Sequence, residues 1–289
     1  MSASDERQRN DGNWHQPEGL RRIPATRGAS PPRFGATTLA GKSNADSRAI
    51  DFRHRAQLTE LMDEPCSRDQ LRDCLRDIAR LNRWFLTYRP LFRWLDSIAA
   101  ATGAKTPVRS PLHIVDVGCG YGDALRRIEC WACKRGLAVE LTGIDLNPDA
   151  VAIAAEASPS ASAIRWIATD VLAWQPDKPI HLVVSSLFTH HLNESDVIRF
   201  LQWMEIRAQL GWFINDLSRA AVPYHLLRIF TKLAGLHSFV QYDAPVSIAR
   251  SFVPGDWRRM CAAAGLDPGV FSIKPSRPAR LCVSRRKTP

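Results

Sequence analysis

Gly118, Gly120 and Gly122 stand at alternate positions in the stretch Asp116-Val117-Gly118-Cys119-Gly120-Tyr121-Gly122. Glycines so placed let a backbone turn tightly and approach a ligand without a Cβ in the way. A dinucleotide fingerprint needs G-x-G-x-x-G, and Asp123 occupies the place of its third glycine, which argues against NAD or FAD. Two further acids, Asp145 and Asp170, close later apolar runs, Asp145 lying 25 residues beyond Gly120. A carboxylate at such a strand end can accept hydrogen bonds from two adjacent ribose hydroxyls. His190 and His191 form an adjacent pair, and Asp216 ends another apolar run. Histidine, titrating near ~6.5, suits the removal of a hydroxyl proton, and a carboxylate on its second nitrogen would fix the tautomer.

These residues need elements to hold them. From Leu112 the pattern alternates between short apolar runs and amphipathic segments. Strands are expected at Leu112–Val117, Val139–Ile144, Ala163–Ala168, Ile180–Leu187 and Gly211–Asn215, with helices between them. A helix at about Pro254–Ala264 and two strands, Val270–Ile273 and Ala279–Ser284, complete the pattern. Alternation of this kind predicts an α/β fold with a mostly parallel sheet covered on both faces. Ahead of it, Ser67 and Gln70 fit a capping box, and Leu71, Leu75, Ile78, Leu81 and Phe85 recur on one helical face. Pro90 is expected to end or kink that helix, and a second helix follows at about Leu91–Ala101. The organisation expected is a disordered basic tail over 1–50, a helical cap over 51–108 and a ligand-binding domain over 109–289.

The chain has 289 residues, with 39 Lys+Arg against 29 Asp+Glu, a formal charge of +10 that first suggests nucleic acid or an anionic membrane surface. Part of that charge sits in the two ends, in Arg21, Arg22, Arg27 and Arg33 and in Arg285, Arg286 and Lys287. At 45% hydrophobic and 24% charged residues, the composition is that of a globular protein, and no run is long enough to span a bilayer. Seven scattered cysteines and a polar start without a signal-peptide core predict a cytoplasmic protein with reduced thiols. Cys130 and Cys133 form a C-x-x-C inside a predicted helix with no second pair, so no metal is expected.

The glycine stretch with its leading acid, the Gly143-Ile144-Asp145-Leu146-Asn147-Pro148 segment and Thr169-Asp170-Val171 together resemble the motifs of class I S-adenosylmethionine-dependent methyltransferases. The resemblance implies a Rossmann-like seven-stranded sheet of order 3-2-1-4-5-7-6, its last strand antiparallel, with the helical cap ahead of it. It implies that S-adenosylmethionine is held by Asp116, Gly118, Cys119, Gly120, Gly122, Asp145, Leu146, Asp170, Val171 and Ser185. In a 3-2-1-4-5 order the ends of the fourth and fifth strands are neighbours, so a histidine there can meet Asp216. His-His-Leu followed by an acid ending the next strand is similar to small-molecule O-methyltransferases of quinone, sugar and polyketide pathways. There such a pair can serve as the base; otherwise the two histidines are a packed loop and Asp216 a helix cap. The sequence does not choose between His190 and His191.

Leu61–Glu64, Leu81–Trp84, Arg89–Pro90, Leu187–His191 and Pro245–Arg250 resemble bacterial methyltransferases of phenolic-lipid and type III polyketide pathways. That implies an aromatic or lipophilic hydroxyl acceptor. The apolar segment Tyr224–Leu236 then suits a lid, an ordinary core helix or a peripheral membrane contact. An RNA methyltransferase and a non-catalytic accessory protein are the alternatives. Ser185-Ser186-Leu187-Phe188 stands where amino-nitrogen methyltransferases often carry an Asn/Asp-Pro-Pro-Tyr/Phe motif, and no RNA-binding module is appended, so nucleic acid is the weaker partner.

Overall fold

The computed structural model describes residues 50–101 and 111–287. The expected tail at 1–50 falls, but for its last residue, outside them. Strand β1 (Leu112–Val117) lies at the centre of the sheet, with β2 (Val139–Asp145) on one side and β4 (Ile180–Ser186) on the other. Next to β2 runs β3 (Arg165–Ala168), and next to β4 runs β5 (Ala208–Leu217). All five are parallel. Strand β7 (Arg280–Arg286) then inserts antiparallel between β5 and β6 (Ser272–Ser276), completing the order 3-2-1-4-5-7-6. The expected topology is the observed one.

Near-continuous apolar runs mark strands covered on both faces, and the pleat divides them between two cores. Val115, Val117 and Val183 turn toward α5 (Glu194–Arg207) and α8 (Pro254–Ala263) and pack with Phe200, Met204 and Trp257. Ile114, Leu182 and Val184 turn the other way, onto α2 (Arg89–Ala101) and α3 (Asp123–Lys134), and pack with Leu91, Leu95, Leu125 and Ile128. Helix α2 is thus a wall of the sheet core. Helix α1 (Arg68–Trp84) stands apart from it. Its Leu71 and Leu75 pack on Ala150 and Ile153 of α4 (Pro148–Glu156), and its Cys74 and Leu81 on Leu236 and Val240.

The capping box forms as expected: Ser67 Oγ accepts from the Gln70 N–H at 3.3 Å, and Gln70 Oε1 accepts from the Ser67 N–H at 3.1 Å. Pro90 neither ends nor kinks α1, which stops at Trp84; it is the second residue of α2. A first-turn proline has no intrahelical N–H to lose. The apolar segment after Asp216 forms two helices, α6 (Ala221–Leu233) and α7 (Ser238–Arg250). Pro245 lies inside α7, where Ser247 Oγ lies 2.9 Å from the Asp243 carbonyl and Ser251 donates its hydroxyl to the Ser247 carbonyl at 2.6 Å. Strand β6 begins two residues later than the apolar pattern placed it.

Phe200 is fully buried on α5, 5.6 Å from the Phe188 ring centroid. Phe200→Ala is expected to cost about 3–5 kcal/mol. Urea unfolding followed by far-UV circular dichroism reads this directly, and a loss within error of zero would mean that α5 does not seal this core.

Candidate active site

Three parallel strands deliver their carboxyl ends to one edge of the sheet, and a cleft of about 780 Å³ opens there. β1 runs into the glycine turn. Gly118, at φ +69°, turns the chain under Phe188, whose ring a Cβ would meet at 2.5 Å. Gly120, at φ +48°, faces open space: its Cβ would touch only Leu75, at 3.6 Å. Both positions need glycine, the first for close packing and the second for a left-handed backbone that keeps the cleft floor clear. Gly122 is the N-cap of α3.

Asp145, ending β2, accepts the Gly120 N–H on Oδ2 at 2.9 Å and the Asn147 N–H on Oδ1 at 3.0 Å. Each oxygen keeps a lone pair for a ligand hydroxyl. Burial raises the Asp145 pKa, against the pull of these N–H groups. Asp170 is held through Oδ1 by the Leu172 N–H at 2.9 Å. Gly118, Cys119, Gly120, Asp145, Leu146, Asp170 and Val171 all line the cleft. Asp116 and Ser185 do not; they sit one layer back. The Ser185 hydroxyl donates to the Val117 carbonyl at 2.8 Å and ties β4 to β1, whereas Ser186 is the serine on the cleft wall. Asp116 has a buried oxygen, Oδ1, without a partner, and so has Asp123, through Oδ2. Burial, then the neighbouring Asp123 and Asp145 carboxyls, push the Asp116 pKa well above the usual range. Buried acids short of donors, beside a glycine floor kept clear, fit a ligand that brings hydroxyls and positive charge.

The opposite end of the cleft is built on the turn after β4. Thr189–His191 form one 3₁₀ turn, and Asp216 lies beside it at the end of β5. Asp216 Oδ2 accepts the His190 N–H at 2.9 Å and the Thr189 hydroxyl; Oδ1 accepts the Leu217 N–H at 2.7 Å and lies 2.7 Å from His190 Nδ1. Burial opposes charge on Asp216, but His190 and these hydrogen bonds prevail and hold its pKa down at about 2. Asp216 beside Nδ1 fixes the ring so that Nε2 points away from it, toward Glu60. Asp216 therefore pairs with His190. His191 pairs with Asp63, Nδ1 to Oδ1 at 3.2 Å.

Both histidines present Nε2 to Glu60, each at 3.8 Å. The Glu60 carboxylate is buried and accepts the Ser247 hydroxyl at 2.9 Å. Arg250, on α7, reaches Glu60 at 3.4 Å and Asp63 at 2.9 Å. Asp243 accepts the Leu61 and Met62 N–H groups at 2.7 and 3.0 Å and so holds the segment that carries Glu60. Burial, with Glu60 and Asp63 adding to it, raises Asp243 to about 6. Glu60, His190 and His191 bring one oxygen and two ring nitrogens within 4.8 Å of one another, a donor set able to take a metal ion. The Arg250 guanidinium already supplies positive charge to that carboxylate.

Sequence reasoning found Asp216 and the histidine pair but missed Glu60, Asp123 and Asp243. Asp63 and Arg250 lay inside segments picked out by resemblance, without a role. Asp123 was legible only as a misplaced third glycine.

A methyltransferase domain family matches residues 114–207, which carry the glycine turn, Asp145, Asp170 and both histidines. The matched residues carry a class I S-adenosylmethionine-dependent methyltransferase domain. Among its curated relatives, trans-aconitate 2-methyltransferase of Shigella dysenteriae is 26% identical over 161 residues, 48% of this chain and 57% of the relative. The Streptomyces avermitilis protein of the same name is 39% identical over 82 residues, 27% of this chain and 29% of its own. The chain thus spans little more than half the length of the Shigella and Escherichia coli relatives it matches, and less of the Streptomyces one. Two solved structures share the fold. The plantazolicin methyltransferase BpumL, in complex with a pentazolic desmethylPZN analog and SAH, has TM-score 0.50 at 14% identity, covering 77% of this chain and 96% of its own. A Nostoc punctiforme protein assigned as an O-methyltransferase has TM-score 0.51 at 14% identity, covering 81% and 64%.

The His191–Asp63 pair makes stability depend on pH. Burial disfavours the imidazolium, yet Glu60 and Asp63 outweigh it and lift His191 from 6.5 to about 9. A raised folded-state pKa contributes stability in full below the unfolded value and loses it as pH rises through the folded one. The melting temperature of the wild type should therefore fall between about pH 6.5 and pH 9, and more steeply than that of His191→Gln. Asp243, raised to about 6, titrates mostly below this window and is present in both proteins, so it does not account for a difference in slope. Parallel slopes in a thermal-shift series would dissolve the pairing.

Proposed function

We propose that this methyltransferase transfers a methyl group from S-adenosylmethionine to a hydroxyl of a small aromatic, lipophilic acceptor, with His190 as general base and Asp216 as its positioning partner. One observation carries the reading: a buried Asp216–His190 pair, 2.7 Å apart, faces the same cleft as the glycine turn. The cofactor supplies an electrophilic methyl on a cationic sulfur. Asp145 is placed to accept two ribose hydroxyls, Asp170 and Val171 border the adenine position, and the acids at 116 and 123 favour the positively charged end.

A phenolic hydroxyl is a poor nucleophile until its proton leaves. When bound, the cofactor would supply the methyl, its carbon–sulfur bond breaking to leave a neutral thioether; Nε2 of His190 takes the hydroxyl proton, and ionised Asp216 stabilises the imidazolium. His191, held protonated by Asp63 and Glu60, has no lone pair to offer at neutral pH. The acceptor side of the cleft is walled by Ile78 and Leu81 of α1, by Phe85 just past its end and by Leu227 and Val240, which suits a ring with an apolar tail. A carboxylate acceptor is the second reading, favoured by the relatives' name. It needs no base, and a polycarboxylate would face Glu60 and Asp63.

Mass spectrometry after incubation with S-adenosylmethionine should show one added methyl on a member of a phenol, quinol and resorcinol panel that includes trans-aconitate. His190→Ala should then lose roughly 10²–10⁴-fold in turnover while still binding cofactor. Full turnover by that variant, or methylation of trans-aconitate alone, would remove the base. Gly120→Arg puts a long side chain onto the cleft floor and should abolish cofactor binding in calorimetry; unchanged affinity would move the cofactor elsewhere.

A further inference from the structure

Helix α6 turns an apolar stripe to solvent. Val222 is 69% exposed, Leu226 62%, Ile229 57% and Leu233 83%. Their spacing of four, three and four residues puts them on one helical face. Next to the stripe, the Phe230 ring meets Trp84 edge-on at 5.9 Å, and Trp84 is itself 45% exposed. Single exposed apolar residues are ordinary; a contiguous stripe rimmed by charge is an interaction surface.

The charge says what kind. α6 contains no Asp or Glu. Arg228 and Lys232 are exposed beside the stripe, as is Arg83 at the end of α1, and among the described residues none of the three makes an ion pair. A second copy meeting this face through a twofold axis would bring Arg228 and Lys232 against their own equivalents. An anionic bilayer surface meets both features at once, cations at the headgroups and apolar side chains below them. No described helix is long and apolar enough to cross a membrane.

We propose that α6 docks this methyltransferase onto an anionic membrane surface, with Val222, Leu226, Ile229 and Leu233 inserted at the acyl boundary. Leu227, on the other side of the same helix, lines the cleft. The helix therefore stands between the bilayer and the acceptor chamber. Passage of an oily acceptor from the bilayer past Leu227 rests on the proposed function; the docking itself does not.

The test is sedimentation of the full chain with vesicles of pure phosphatidylcholine and with vesicles containing roughly one third phosphatidylglycerol. Partitioning is expected onto the anionic vesicles, weakened by high salt. Arg228→Gln/Lys232→Gln should weaken it by roughly 30-fold, about fivefold per cation. Leu226→Gln/Ile229→Gln/Leu233→Gln should abolish it while leaving the melting temperature and cofactor titration unchanged. Absence of wild-type binding would overturn the proposal, and so would equal binding by the triple variant. A dimer in light scattering that the triple variant disperses would give the stripe to a second copy instead. Vesicle binding without turnover on any acceptor leaves the interface standing, and turnover without vesicle binding removes the interface alone.

Discussion

A carboxylate that is 2% exposed at the end of a central strand has to be met by donors, or it destabilises the fold that buries it. Asp216 is met by four: two backbone N–H groups, a hydroxyl and an imidazole. Three of these come from Thr189 and His190, so the ion dictates the conformation of the turn that leaves β4. Leu187 enters that turn at φ +55°, its N–H donating to the Asn215 carbonyl at 2.9 Å. The ring orientation of His190 is thus a consequence of satisfying Asp216. The geometry at His190 and the stability of the fold share the same hydrogen bonds.

The cleft is electrostatically asymmetric, and this asymmetry orders its two ends. Asp116 and Asp123 each leave a buried oxygen without a partner at the glycine end, and burial raises the pKa of both. At the histidine end the acids are compensated: Asp63 by His191 and Arg250, Asp216 by His190, Asp243 by two N–H groups. A cation is favoured where acids lack partners, and a neutral acceptor where they have them. The formal charge of +10 plays no part in this; near α6 its unpaired arginine and lysine side chains face outward.

The sheet was readable because its parallel strands are continuous apolar runs bounded by turn signals, and Asp145 and Asp170 mark strand ends wherever the run stops. Ser185 and Ser186 show the limit of such reading. Successive residues point to opposite faces, and only the register, Ser186 opposite Asn215, settles which one reaches the cleft. The histidine pair was equally undecided, since a 3₁₀ turn carries no period that favours one ring over its neighbour. Glu60 left no trace: it reaches His190 across 130 residues of chain, from a segment without periodicity. Helix α7 was hidden by Pro245, which local rules read as a break and which tertiary packing and serine back-bonding tolerate.

Helix α7 is where these parts meet. Its Asp243, Ser247 and Arg250 hold the segment Glu60–Asp63 by polar contacts, and the Ala56 N–H adds a bond to the Ala249 carbonyl at 3.1 Å. Arg55 donates to the His190 carbonyl at 2.6 Å, tying the same segment to the turn after β4. On its other side α7 packs against α6, the helix with the exposed stripe. Helix α7 thus lies between the exposed stripe of α6 and the segment that carries Glu60, and the same helix that supports α6 fixes where that carboxylate stands beside the two histidine rings.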